Sequence, residues 1–87
     1  MLQEFIGENV VVDLRSTYVC LGKLSKVHED YLELNDADFH DLRDTQSTRE
    51  NYVAASCATG IKRNRKRVMV KLDEMVAISR LTDVVDD

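Results

Sequence analysis

Apolar and polar residues alternate along much of this chain with a period of two, the spacing of strands that bury one face. Val10, Val12 and Leu14 alternate with Val11, Asp13 and Arg15, which predicts a first strand from Asn9 to Arg15 with one set of side chains in a core. A second strand follows from Tyr18 to about Val27. Its phase slips, because Leu24 and Val27 are three apart and Gly22 interrupts the run, and such a slip predicts a β-bulge or sharp bend. After the polar turn His28-Glu29-Asp30, alternation resumes from Tyr31 to Asn35 with Leu32 and Leu34 inward. Two further runs, Val68 to Leu72 and Met75 to Leu81, are divided by Asp73-Glu74, the spacing of a tight hairpin.

Two segments carry a helical pattern instead. Leu2, Phe5 and Ile6 lie at i, i+3 and i+4 and then meet Gly7, which suits one helical turn stopped by glycine. Farther on, Ser47-x-x-Glu50 reads as a capping box, Ala54, Ala55 and Ala58 favour helix, and Gly60 is placed to end it in the left-handed conformation. About three turns, from Thr48 to Thr59, are expected. Five short strands joined by short turns, without βαβ spacing, predict a mainly β fold: a small, bent, five-stranded antiparallel barrel. The helix belongs to an insertion over about residues 38–67. Val10, Val12, Leu14, Leu24, Leu32, Leu34, Val68, Val70 and Ile78 should share one interior.

With 87 residues, 44% of them hydrophobic and 32% charged, the sequence suits a single globular domain over residues 1–87. A core this small is marginal, so partner subunits would relieve it and self-association is expected. No apolar run is long enough to span a bilayer and no export signal is evident, which points to the cytoplasm. Cys20 and Cys57 lie in no ligand motif and are expected as reduced, buried thiols.

The net charge of −4 conceals a segregation of sign. Between residues 28 and 44, Glu29, Asp30, Glu33, Asp36, Asp38, Asp41 and Asp44 face Arg43 alone. Between 61 and 72 stand Lys62, Arg63, Arg65, Lys66, Arg67 and Lys71 with no acid among them. The C-terminal stretch turns acidic again through Asp73, Glu74, Asp83, Asp86 and Asp87. Enzyme chemistry finds no support. There is no glycine-rich phosphate loop and no Ser-His-Asp arrangement, and no histidine is placed to activate Cys57. Asp38-x-His40-Asp41 has no recognised metal-ligand spacing and is expected in a solvated acidic loop. No cofactor or metal is implied.

Several apolar and glycine positions together resemble a known family. Leu2-x-x-Phe5-Ile6-Gly7-x-x-Val10-x-Val12-x-Leu14, then Gly22-x-Leu24-x-x-Val27 and Leu32-x-Leu34-x-Asp36-Ala37, are similar to the first signature of Sm and Sm-like (LSm) proteins. Val68-x-Val70-Lys71-x-x-x-Met75-x-x-Ile78 resembles the second. The resemblance implies an N-terminal helix, five strongly bent strands, and rings of six or seven subunits closed through edge strands. It also implies RNA held by the turn before the third strand and the turn between the last two. The sequence differs from the family at these turns. Tyr31 stands where a base-reading Asn is expected, and Lys71-Leu72 replaces an Arg-Gly pair.

The candidate RNA contacts are accordingly Lys62, Arg63, Asn64, Arg65, Lys66, Arg67 and Lys71, with Tyr31 and His28 as groups that meet a base. Five cations in the six residues 62–67 attract phosphates and release counterions, and Asn64 adds hydrogen-bonding capacity. The same cluster could instead pair with the acidic stretch within or between subunits. Two alternatives therefore stand beside RNA binding: an Sm-like scaffold docking a protein partner, and a monomeric SH3-like or PRC-barrel adaptor.

Overall fold

A computed structural model describes residues 1–85; Asp86 and Asp87, which belong to the acidic tail and to the expected 1–87 domain, lie outside them. The strands are β1 (Asn9–Leu14), β2 (Tyr18–Val27), β3 (Tyr31–Asp41), β4 (Arg65–Lys71) and β5 (Met75–Arg80). The one α-helix among the described residues is α1 (Arg49–Thr59), and a 3₁₀ helix, Leu2–Phe5, supplies the N-terminal turn. All strands join one antiparallel sheet in the order β4-β3-β2-β1-β5.

The bend is built where the sequence loses its phase. β2 shifts register against β3 twice, between Leu21 and Lys23 and between Leu24 and Lys26. Gly22 lies at the first shift, where a Cβ would stand 2.9 Å from the Cβ of Ala37 and 3.1 Å from backbone atoms of Ala37 and Asn35. Only glycine lets the two strands approach so closely. On the concave face, Val10, Val12, Leu14, Cys20, Leu24, Leu32, Leu34, Ala37 and Val70 form a buried core, with Val68 and Ile78 packed against it. Every side chain expected in the interior is there.

Seven expectations need correction. The sheet is strongly bent but open, because β4 and β5 form its two edges and do not pair. The last two strands therefore make no hairpin. The 3₁₀ turn Leu72–Glu74 carries the chain from one edge to the other, and its ends are held by other turns: the Leu72 amide donates to the Asp30 carbonyl (2.9 Å), and the Arg15 amide donates to the Glu74 carbonyl (2.9 Å).

The third strand runs six residues beyond Asn35, so Asp38, His40 and Asp41 are strand residues and not a solvated loop. Asp36, at φ 48°, bulges the strand, so Leu34 and Ala37 both face the core and the simple alternation is lost. The helix is capped one residue later than the capping box predicts, with the Thr48 hydroxyl accepting from the Asn51 amide (3.2 Å). Gly60 ends it with φ 95° but ψ 163°, so the backbone leaves in an extended and not a left-handed helical conformation.

The interior is also double. Val11, read as the outward partner of a one-faced strand, is 3% exposed, because α1 covers the convex face there. Val11, Val19, Leu21, Val53 and Leu81 form a second core between sheet and helix. Finally, Cys20 is buried but Cys57 is exposed on α1; both are free thiols. Burial, with the charge of Asp38 nearby, pushes the Cys20 thiol up to about 12, so it stays neutral at physiological pH.

Candidate nucleic-acid interface

The two turns singled out in the sequence meet in space. Tyr31 opens β3 and Lys71 closes β4, and the two are direct partners across the ladder. The Leu72-to-Asp30 hydrogen bond then locks the turn 28–30 against the turn 72–74. Tyr31 is exposed, and its ring lies 4.9 Å from that of His28 in a tilted arrangement. Glu29, Asp30, Lys71, Leu72 and Asp73 line an open groove between the turns. Three carboxylates thus flank a single ammonium, which sits 4.0 Å from Asp73.

The basic segment forms the end of the α1–β4 connection and the first half of edge strand β4. Its members differ in what holds them. Arg63 pairs with Asp36 (2.6 Å), and Arg65 donates to the Asn64 carbonyl (3.1 Å). Lys62, Lys66 and Arg67 have no ion-pair partner among the described residues. Asn64, grouped in the sequence with the phosphate contacts, is taken up by β3. Its side-chain oxygen accepts from the Phe39 amide (2.9 Å), and its side-chain amide donates to the Phe39 carbonyl (3.1 Å) and to Asp38 (3.2 Å). Asn64 thereby extends the ladder where β4 has not yet begun.

Three solved structures share this architecture. An Sm protein of Pyrococcus abyssii, solved in complex with a uridine heptamer, superposes with a TM-score of 0.62 at 16% identity over 91% of this chain and 90% of its own. The SmAP1 heptamer of P. aerophilum gives 0.60 at 24% identity, covering 91% and 85%. A heptameric archaeal Sm protein gives 0.59 at 24% identity, covering 91% and 93%. The chain has the Sm fold. No protein-family model matches the sequence, and no curated protein matches it either.

On this Sm fold, the convex face of the sheet is divided. One half lies under α1, where Asp38 is buried and His40 stacks on Tyr52 at 4.2 Å. Burial raises the Asp38 carboxyl above the usual carboxylate range, while His40, 4.0 Å away, pulls it back. The other half is uncovered and carries Lys23 and Lys26 of β2, which sequence reasoning did not single out. Their outward phase was legible, but their cross-strand neighbours were not. Among the described residues, no group of three or more His, Cys, Asp or Glu side chains is gathered to hold a metal ion, and no helix is long and apolar enough to cross a membrane.

Proposed function

We propose that this chain is a non-enzymatic, RNA-binding Sm-like protein that works in the cytoplasm as an oligomeric ring. The observation that carries the reading is the meeting of the two turns, with Tyr31 and Lys71 as ladder partners, at the end of a basic edge strand. Lys62, Arg63, Arg65, Lys66, Arg67 and Lys71 are assigned to phosphates, and Tyr31 with His28 to stacking on a base. Ring formation is supported by the two unpaired edges, β4 and β5, since an exposed edge is a template for another chain. The surroundings of the two edges differ in charge. β4 is basic, whereas the turns on either side of β5 carry Asp73, Glu74 and Asp83 and the strand's own cation, Arg80, is paired with Glu8 (2.7 Å). That the related folds include a heptamer and a protein bound to a uridine heptamer agrees with this reading.

A native mass spectrum with and without a short single-stranded RNA, followed by a salt titration of the affinity, tests it. The expected result is a discrete oligomer that takes up RNA, with an affinity that falls steeply as salt rises. A monomer would remove the ring. An oligomer that ignores RNA at low salt would remove the RNA reading in favour of a protein-docking scaffold.

A further inference from the structure

We propose that the uncovered half of the convex sheet face, with Lys23, Lys26, Arg67 and Met69 at its centre, is a further contact surface for single-stranded RNA that continues from the paired turns onto β2. This rests on the RNA reading above and extends it to residues on β2.

The ladder register builds the surface. Lys23 pairs with Asn35, and Asn35 pairs with Arg67, so the three side chains form a row across β2, β3 and β4. The next row is Lys26, Glu33 and Met69, and Tyr31 with Lys71 makes a third. Because Leu24, Leu32, Leu34 and Val70 are fully or nearly fully buried in the concave core, their neighbours Lys23, Tyr31, Glu33, Asn35, Met69 and Lys71 point the other way. From Arg67 to Lys71 the patch runs about 13 Å along the strand, and from β2 to β4 about 10 Å across. It is long enough for a short stretch of extended nucleic acid.

Lys23, Lys26 and Arg67 flank Glu33, the one acid within these rows, and that acid is withdrawn; at the rims of the patch Lys71 lies 4.0 Å from Asp73, and Asp36, beside Arg67, is paired with Arg63. Glu33 has only 12% of its side chain exposed, accepts a hydrogen bond from the Ser25 hydroxyl (3.2 Å), and lies 3.6 Å from His28. Lys23, Lys26 and Arg67 are exposed and have no ion-pair partner among the described residues. Between the cations stand Met69, 44% exposed, and Tyr31, 37% exposed. Met69 thus adds an exposed thioether to the same face as the exposed ring of Tyr31. Cations at strand spacing with an aromatic, a thioether and an amide among them match a phosphate chain whose bases lie on the sheet. An acidic peptide would satisfy the cations but would leave Tyr31 and Met69 without a planar partner.

The test is the double variant Lys23→Glu/Lys26→Glu, which leaves every residue assigned under the first reading in place. The native mass and melting temperature should not change. Affinity for a short single-stranded RNA at low salt should fall roughly tenfold or more, and the log–log salt slope should become shallower by roughly 1.4, about 0.7 for each phosphate that the protein no longer neutralises. Met69→Ala should weaken binding without altering that slope. If the native protein binds RNA and the double variant matches it in affinity and slope, the convex face is not an RNA surface, while the first reading stands. If the native protein binds no RNA, both readings fall. If the double variant keeps the native affinity and salt slope for RNA but loses an affinity for polyglutamate that the native protein shows, the surface takes acidic polypeptide and the RNA assignment is overturned.

Discussion

At Gly22 the sheet folds on itself, and the residue has no room for a methyl group. The nearest atoms are the Cβ and backbone of Ala37 and the carbonyl of Asn35, none of which can swing aside as a long side chain would. Gly22→Ala should therefore destabilise the fold by roughly 1–3 kcal/mol, measurable by denaturant titration. Asp38 gives a residue-scale prediction in pH. Its carboxyl is raised by burial, so between the ordinary aspartate value of ~3.9 and the raised one the folded state holds the proton that the unfolded state releases. Stability attributable to this group is full below that window and is lost as pH rises through it. Asp38→Asn keeps an acceptor for Asn64 and removes the charge, so it should melt higher than the native protein at neutral pH. The difference should close below about pH 3.9, and a series of thermal melts across pH decides it.

At the scale of the element, α1 determines how much of the convex face is available. It is seated by Val53 against Val11, Val19, Leu21 and Leu81, and by the stacking of Tyr52 on His40. The cap that starts it is the Thr48 hydroxyl. Thr48→Ala should cost about 1 kcal/mol in an unfolding titration. Ser47→Ala should stay within about 0.5 kcal/mol, the usual range for a surface change. Helix existence was legible from the alanines and the cap residues, but the choice between adjacent Ser47 and Thr48 was not, because both carry a hydroxyl and either can start the turn. β3 was half legible. The bulge at Asp36 hides its second half, since a strand whose outward positions are Asp38 and His40 beneath a helix reads in sequence as a polar loop.

For the whole molecule, the open edges dominate. β5 exposes Val76, 66% accessible, on a strand that already pairs with β1 on its other side. A charge there should block edge-to-edge pairing without disturbing either core. Val76→Lys is expected to keep the native circular dichroism spectrum while the native mass spectrum shifts from oligomer to monomer. If RNA uptake depends on several subunits presenting β4 together, the same variant should also lose much of its affinity.

The period-two pattern, the glycine at the phase slip and the helix-forming insertion determined the five bent strands, the N-terminal turn, α1 and the membership of the concave core, because each is a local preference written in consecutive residues. They also located the basic segment. What the tertiary structure alone decided is everything that depends on pairing between distant strands: an open sheet instead of a closed barrel, and β4 and β5 on opposite edges instead of in a hairpin. The second core beneath α1, the use of Asn64 to extend the β3–β4 ladder, and the rows that bring Lys23 and Lys26 beside Arg67 and Met69 belong to the same group. The physical reason is that a strand's alternation specifies which face a side chain takes, whereas its neighbours on that face are set by register and edge order, which bulges shift and which no single segment encodes.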